Sequence, residues 1–296
     1  MRERHLVLDT NAFRGLPRKD VERLASSGWR FVVSEVAISE TLAASVRELE
    51  RGLPRDRARG LLFKRAKLFA RHVDPNYPIA VAGEHVFERV RRAISGVATD
   101  DGRSDQHVSY LDQFWRVLVG TEFLDEEWIA AGHHAEAWLT DVDAALHRLA
   151  RREEDLWAKV KAPVEEKRAL WLGLTYDEQL ATLCERFRAD WGLEDDAVAD
   201  RLDAHVRFLA WRLHRAAKGI EMPKENDAPD FRFSVHLGEG FVLLSGDESF
   251  VRLVDESGTH QAPWVRRLRD LDDPLPSGPP WGPSAHEAAR TFRRSE

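Results

Sequence analysis

The stretch Leu6-Val7-Leu8-Asp9-Thr10-Asn11 decides the fold class and directs attention to one edge of the structure. A short apolar run that ends in a carboxylate is typical of a buried strand that carries an acid to the edge of a sheet. In open α/β sheets, ligands bind in the crevice outside the carboxyl ends of the strands. The stretch therefore predicts that Asp9 lies on the functional face of an α/β protein.

Two further segments are predicted to be strands of the same sheet, and helical patterns separate them. They are the apolar runs at 30–34 and 241–245, which join a first strand at 5–9. A short helix is predicted over 248–254, and a last edge strand is predicted over 264–271. The order of these elements indicates an α/β fold.

The middle of the chain loses the strand signal and takes long helical patterns instead. Thr175 and Glu178 have the spacing of a capping box, and one helix is predicted over 195–218 with Gly219 as its stop. Many of the tryptophans fall in this block, and we interpret them as helix contacts rather than as a surface for stacking bases. The block is therefore predicted to be all helical.

Composition favours a globular protein of a reducing compartment. The chain has 296 residues, of which 43% are hydrophobic, which is enough for a sizeable core. Its single cysteine, Cys184, excludes an intramolecular disulfide, and no stretch resembles a signal peptide or a membrane span. We therefore expect a cytoplasmic protein that does not bind membranes. The net charge of −7 argues against coating nucleic acid through bulk electrostatics.

Acidic residues can be assigned to the carboxyl edge of the predicted sheet. Asp9 and Asp247 each follow a strand, and Glu40 begins the helix after the second strand. If the first and third predicted strands are adjacent and parallel, their spacing of about 5 Å puts both aspartates within reach of one ion. The segment before the third strand adds Asp227 and Asp230, and the sequence does not decide between them.

The donor set at this edge predicts a particular kind of metal site. Clustered carboxylates raise one another's pKa unless a cation neutralises them. Oxygen ligands without cysteine or histidine suit Mg²⁺ or Mn²⁺ better than Zn²⁺, and such ions activate water for phosphodiester hydrolysis. The alternative for Asp9 and Asp247 is a helix cap, and the alternative for Glu40 is a solvated helix acid.

In their order along the chain, these residues resemble the motifs of the PIN-domain nucleases. The matching stretches are Leu8-Asp9-Thr10-Asn11, Val33-Ser34 with Glu40, Asn226-Asp227-Ala228-Pro229-Asp230, and Leu244-Ser245-Gly246-Asp247 with Phe250. The resemblance covers roughly residues 1–75 and 220–275. It implies an α/β/α sandwich with a central parallel sheet and a ribonuclease that depends on Mg²⁺ or Mn²⁺.

The resemblance also implies roles for individual residues. The acidic quartet that holds the metal and carries catalysis would be Asp9, Glu40, Asp230 and Asp247, and Asp227 would be an additional or substituting ligand. Thr10 or Asn11 would orient Asp9 by hydrogen bonding, and the hydroxyl of Ser245 would lie beside Asp247 and support the ligands.

The helical block departs from the compact members of this family and sets the predicted domain organisation. We predict a discontinuous PIN-like domain at 1–75 and 220–285, a helical insertion at 76–219 and a C-terminal tail at 286–296. The habits of the family imply a homodimer and an inhibitor or antitoxin protein as partners. RNA is the favoured substrate, and the alternatives are a nuclease for DNA or flap structures and a non-catalytic scaffold that binds a protein through the helical block.

A basic stretch is the candidate contact for nucleic acid. Between residues 51 and 71 the basic side chains are accompanied by a single acid, Asp56. The basic residues predicted to contact phosphate are Arg51, Arg55, Arg59, Lys64 and Lys67. An anionic active site needs such bases nearby to bind the backbone of the substrate. The alternative is an ordinary exposed helix face. Dinucleotide binding is not supported, because Gly238-Glu239-Gly240 lacks a third glycine and precedes a strand.

Overall fold

Within the described part of the chain, a five-stranded sheet forms the centre of the fold. In this computed structural model the described residues are 4–34, 36–38, 40–41, 51–52, 61, 64–73, 79–80, 172–191, 196–221, 227–270, 276, 278–283, 286 and 290. The strands are β1 (Arg4–Leu8), β2 (Trp29–Ser34), β3 (Ile79–Ala80), β4 (Val242–Ser245) and β5 (Val265–Arg267). Their order is β3-β2-β1-β4-β5, and every neighbouring pair is parallel.

Helices connect the strands, as a parallel sheet requires. The longer ones in the described residues are α1 (Thr10–Gly15), α2 (Arg18–Ser26), α3 (Tyr176–Trp191), α4 (Asp196–Arg201), α5 (Asp203–Ala217), α6 (Asp227–Ser234) and α7 (Glu248–Glu256). Residues 36–38, 40–41 and 64–69 also have helical backbone wherever they are described. The predicted α/β class is confirmed. Among the described helices, none combines the length and apolar character that a membrane span requires.

The three apolar runs form strands within a residue of the predicted bounds. They read as nearly continuous apolar segments because strands in the middle of a parallel sheet are covered on both faces. All four residues of β4 are buried, as are the last three of β1. The strand predicted over 264–271 is shorter: β5 ends at Arg267, whose guanidinium donates to Asp270 and closes a 3-10 turn in place of further strand.

The long helix predicted over 195–218 is two helices, α4 and α5, with a break at the buried Leu202. Contacts from a distant loop cause the break. Gln261 Oε1 accepts a hydrogen bond from a backbone N–H in the first turn of α5 at 2.8 Å, and Asp203 accepts one from the Thr259 hydroxyl at 2.6 Å. These partners begin a new helix by satisfying its first turn, and a periodic apolar pattern gives no sign of them.

The capping box predicted before α3 is confirmed. The backbone N–H of Thr175 donates to Glu178 Oε2 at 2.7 Å, and the N–H of Glu178 donates to Thr175 Oγ1 at 3.3 Å. Each side chain thus accepts from the other residue's backbone, which satisfies two donors at the start of the helix.

Helices α3 to α5 share one core with the sheet. The buried cluster joins Leu183, Val198 and Phe208 to the strands, and the ring of Phe208 packs edge-on against Phe250 of α7 at 5.5 Å between centroids. These contacts cross the predicted boundary at 219, and β3 extends the sheet past residue 75. The predicted boundary is crossed because apolar surface is buried against the element nearest in space, whatever its position in the sequence. Residues 81–171 of the predicted insertion lie outside the described residues.

A buried histidine connects α5 to α6. The ring of His205 stacks on Phe231 at 3.8 Å between centroids, and its Nδ1 lies 3.0 Å from the Phe231 carbonyl oxygen. Burial lowers the pKa of His205 to about 3, although the carbonyl opposes the shift. Because the pKa is lower in the folded state, the unfolded chain takes up the proton first. The stabilisation is complete above about pH 6.5 and is lost as the pH falls towards 3.

We expect this histidine to give the protein a steep sensitivity to acid. From about pH 6 downwards, its protonation on unfolding lowers the free energy of unfolding by about 1.4 kcal/mol per pH unit. His205→Phe keeps the ring stacked on Phe231 and removes this slope, whereas His72→Phe retains it. Urea unfolding of the three proteins across this range measures the difference, and an unchanged slope in His205→Phe contradicts the assignment.

Candidate active site

Two of the predicted acids follow neighbouring strands at the centre of the sheet. Asp9 comes directly after β1, and Asp247 comes two residues after β4. The strands are in register with Leu8 opposite Leu244, and the N–H of Asp9 donates to the Leu244 carbonyl at 3.0 Å. Both aspartates therefore lie at the carboxyl edge, where α/β proteins bind their ligands.

Both aspartates are also helix N-caps. Asp9 Oδ1 accepts the N–H of Ala12 at 2.6 Å and begins α1. Asp247 Oδ1 accepts the N–H groups of Ser249 and Phe250 at 2.8 and 3.1 Å and begins α7. The capping interpretation is therefore correct for both, and it leaves the second oxygen of Asp247, Oδ2, without a hydrogen bond from the described residues.

Ser245 connects the two aspartates. Its hydroxyl donates to Asp9 Oδ2 and accepts the backbone N–H of Asp247 at 2.9 Å. The N–H of Gly246 also donates to Asp9 Oδ2, at 3.2 Å. A Cβ atom on Gly246 would lie 2.8 Å from the Cβ of Asn11, so glycine is required where α1 approaches the end of β4. The serine hydroxyl therefore holds the Asp9 carboxylate against the backbone from which Asp247 projects.

The hydrogen bonds to Asp9 differ from those predicted. Neither Thr10 nor Asn11 orients its carboxylate; the donors are Ser245 and the backbone N–H groups of Ala12 and Gly246. A side chain one residue along a helix points away from its neighbour, whereas the loop after β4 passes directly over Asp9.

The two aspartates have little compensating charge around them. Asp9 is 3% exposed. Burial raises the pKa of Asp9 to about 6, the hydrogen bonds from Ser245, Ala12 and Gly246 oppose this rise, and the charge of Asp247 adds to it. Among the described residues, no lysine or arginine forms an ion pair with either aspartate. A cation in this position would relieve the electrostatic cost of both carboxylates.

Glu40 lies at the same edge through its contact with Thr10. The Thr10 hydroxyl, next in sequence to Asp9, donates to Glu40 Oε2. Arg14 of α1 donates to the Glu40 carbonyl at 2.8 Å and to the Thr41 hydroxyl at 3.2 Å, which fastens this helical segment to α1. The structure therefore brings Glu40 to the helix that Asp9 begins.

The fourth acid comes from α6. Because α6 leads into the parallel strand β4, it begins on the carboxyl side of the sheet. Asp230 is half-buried in its first turns, and Asp227 is the first residue of the helix. Since the side chain of Asp227 lies outside the described residues, the choice between the two stays open.

Asp9, Asp247 and Glu40 lie at one edge without forming a closed cluster with one another or with Asp230. Within the described residues, the group of three carboxylate or imidazole ligands whose donor atoms all lie within 4.8 Å of one another is Asp200, His260 and His286, and it contains none of the four. Mg²⁺ typically uses one or two carboxylates and retains several waters. The open Oδ2 of Asp247 beside Asp9 fits that requirement.

The basic stretch supplies both surface charge and structural contacts. Of the predicted phosphate contacts, three are exposed: Arg51, Lys64 and Lys67. The other two, Arg55 and Arg59, lie outside the described residues. Arg65, which the sequence placed in the same stretch, is half-buried and donates to the carbonyls of Phe13 and Leu16 at the end of α1. Its guanidinium satisfies helix carbonyls that have no partner within the helix.

A second polar group at the carboxyl edge was missed by sequence reasoning. The hydroxyl of Ser34, the last residue of β2, lies 3.1 Å from His236 Nε2, and His236 Nδ1 lies 3.0 Å from Glu239 Oε2. The signal in the sequence is that His236 and Glu239 lie three residues apart. Ser34 is distant from both in sequence, and the fold brings it to His236.

Comparison of the chain with protein-family models, with curated proteins and with solved structures finds no match. The function is therefore inferred from the residues of this chain and their geometry.

Proposed function

We propose that this chain is a PIN-like nuclease that hydrolyses phosphodiester bonds of RNA with Mg²⁺ or Mn²⁺. One observation carries the proposal: Asp9 and Asp247 end neighbouring parallel strands, and the Ser245 hydroxyl joins them. Asp9 is a buried carboxylate with a raised pKa and without an ion pair to a described residue. Such groups cluster at functional sites.

The residues present fit a hard divalent ion. Asp9 and Asp247 would bind it directly, Glu40 would reach it directly or through a bound water, and Asp230 or Asp227 would approach from α6. When bound, the ion lowers the pKa of a coordinated water and polarises a phosphoryl oxygen. Ser245 keeps Asp9 oriented by donating to its Oδ2.

We also propose a substrate, a cellular location and partners for the protein. The exposed Arg51, Lys64 and Lys67 would bind the phosphate backbone beside the anionic edge. RNA is favoured because the resemblance is to ribonucleases, and a cytoplasmic location fits a chain with one cysteine. The same resemblance implies two kinds of partner, a second copy of the chain in a homodimer and an inhibitor or antitoxin protein. We propose that the helical insertion distinguishes this chain from the compact members of the family.

A non-catalytic protein of the same architecture is the second candidate. The observation in its favour is that both aspartates already serve as helix caps. Capping alone accounts for an aspartate at either position, whereas a nuclease requires the ion as well. Metal binding therefore separates the two candidates.

We expect the purified protein to cleave single-stranded RNA only when Mn²⁺ or Mg²⁺ is present. The assay compares RNA and DNA of one sequence at about pH 7.5, where Asp9 is ionised. EDTA should stop cleavage and excess Mn²⁺ should restore it. Preferential cleavage of DNA or of flap structures would support the other nuclease reading. Absence of Mn²⁺ binding in a calorimetric titration would support the non-catalytic candidate.

A further inference from the structure

A cluster of two histidines and an aspartate lies apart from the acidic edge. Asp200 belongs to α4, His260 to the turn after α7, and His286 to the C-terminal segment that the sequence placed in a tail. Asp200 Oδ1 lies 3.3 Å from His260 Nε2 and 3.2 Å from His286 Nε2. The two imidazole rings stack at 4.2 Å between centroids.

The second nitrogen of His260 is fixed by another carboxylate. Its Nδ1 lies 3.0 Å from Asp203 Oδ2, a distance at which Nδ1–H donates to the carboxylate. Asp203 also accepts the backbone N–H of His260 at 3.2 Å and the hydroxyl of Thr259 at 2.6 Å, which holds its carboxylate in place. These contacts leave Nε2 as the nitrogen of His260 on the side of Asp200 and His286.

The Nε2 atom of His260 is buried and makes no hydrogen bond within the described residues. His260 is 7% exposed, and its Nε2 lies 3.3 Å from Asp200 Oδ1 without the geometry of a hydrogen bond. The same carboxylate oxygen lies 3.2 Å from His286 Nε2, so one oxygen faces two imidazole nitrogens. The three ligand atoms all lie within 4.8 Å of one another and therefore surround one position.

We propose that Asp200, His260 and His286 bind a transition-metal ion of the Zn²⁺ class. Zn²⁺ bonds to imidazole nitrogen and carboxylate oxygen are about 2.0–2.2 Å long, which makes the edges of a tetrahedral site about 3.4 Å. The measured separations of 3.2 and 3.3 Å match such edges. The carboxylate of Asp203 on the far nitrogen of His260 supplies the support that metal-binding histidines commonly receive. Three protein ligands leave the fourth position to water.

The ion would fasten the C-terminal segment to the core. Asp200 already accepts the N–H of Gly282 through its other oxygen at 2.7 Å, and the guanidinium of Arg201 lies 3.9 Å from the ring centre of Trp281. Gln261, next to His260, donates to the Pro280 carbonyl at 2.9 Å. A metal bond to His286 would therefore close a segment that neighbouring contacts already position. This site is independent of the nuclease proposal because it shares no residue with the acidic edge.

The test is a titration of protein that carries no histidine tag and has been stripped with EDTA. Co²⁺ reports through its visible absorption, and Zn²⁺ displaces it in competition. We expect the wild type to bind one tetrahedral Co²⁺ at this site and His286→Ala to bind it at least 10-fold more weakly. His286 is 57% exposed on its side chain, so its removal leaves the fold intact, which circular dichroism checks. His72→Ala is the matched control and keeps wild-type affinity.

Two further variants separate this site from the acidic edge. Asp203→Asn should weaken Zn²⁺ binding by about 10–100-fold, because His260 loses the carboxylate that holds its Nδ1. Asp247→Asn, which changes only the acidic edge, should retain the ion that His286→Ala loses, whether or not the nuclease proposal is correct. The proposal is overturned if wild type and His286→Ala bind the same number of Co²⁺ and Zn²⁺ ions with the same affinity, or if the tetrahedral Co²⁺ absorption is lost in Asp247→Asn.

Discussion

Asp247→Asn will reduce metal-dependent RNA cleavage by about 100-fold or more while leaving the fold unchanged. Asparagine caps helices as well as aspartate does, so its Oδ1 still accepts the N–H groups of Ser249 and Phe250. What the substitution removes is the charge and the Oδ2 oxygen, which no described residue uses. Loss of a residue that only supports a metal ligand costs 10–100-fold, and loss of a ligand costs at least as much.

This substitution separates the cap from the ligand. The control is Glu248→Gln, which neutralises the next residue, an exposed acid paired on the surface with Arg269 at 2.9 Å. Initial rates at saturating Mn²⁺ and the Mn²⁺ dissociation constant are measured for both variants. If Asp247→Asn cleaves RNA at the wild-type rate, Asp247 is a helix cap without a catalytic role.

Phe208→Ala will lower the free energy of unfolding by about 3–5 kcal/mol. Phe208 is 1% exposed and packs edge-on against Phe250 at 5.5 Å between centroids. Truncation removes the apolar burial and leaves a cavity, and it also loses the ring contact. The loss is expected in a single transition, because α5 belongs to the core that surrounds the sheet.

The measurement is urea unfolding followed by both tryptophan fluorescence and circular dichroism. Ile220→Ala provides a control at the end of the same region, because that side chain is 60% exposed and its truncation should cost less than about 0.5 kcal/mol. Two separate transitions, with only one of them shifted by Phe208→Ala, would show that α5 forms a unit of its own.

The strands and the acids that follow them were predictable because the signal is local. A strand covered on both faces must be apolar along its whole length, and the first polar residue after it marks the edge of the sheet. This reasoning located β1, β2 and β4 and the positions of Asp9 and Asp247. It did not find β3, which is two residues long.

Features that depend on distant partners were not predictable. The break at Leu202 follows from a glutamine in a distant loop that caps α5, and the apolar pattern continues through the break. Thr10 bonds to Glu40 rather than to its neighbour Asp9 because the helix directs its side chain towards another segment. Periodicity records which residues are buried, and it carries no information about which polar atoms meet.

The sequence by itself determined the α/β class, the strands β1, β2 and β4, and the aspartates Asp9 and Asp247 that follow β1 and β4. Only the tertiary structure decided that β1 and β4 are neighbours, so that Ser245 reaches Asp9 across most of the chain. It alone assembled Asp200, His260 and His286. The physical reason is that apolar patterns are set by burial within each element, whereas polar contacts between elements depend on strand order and helix docking.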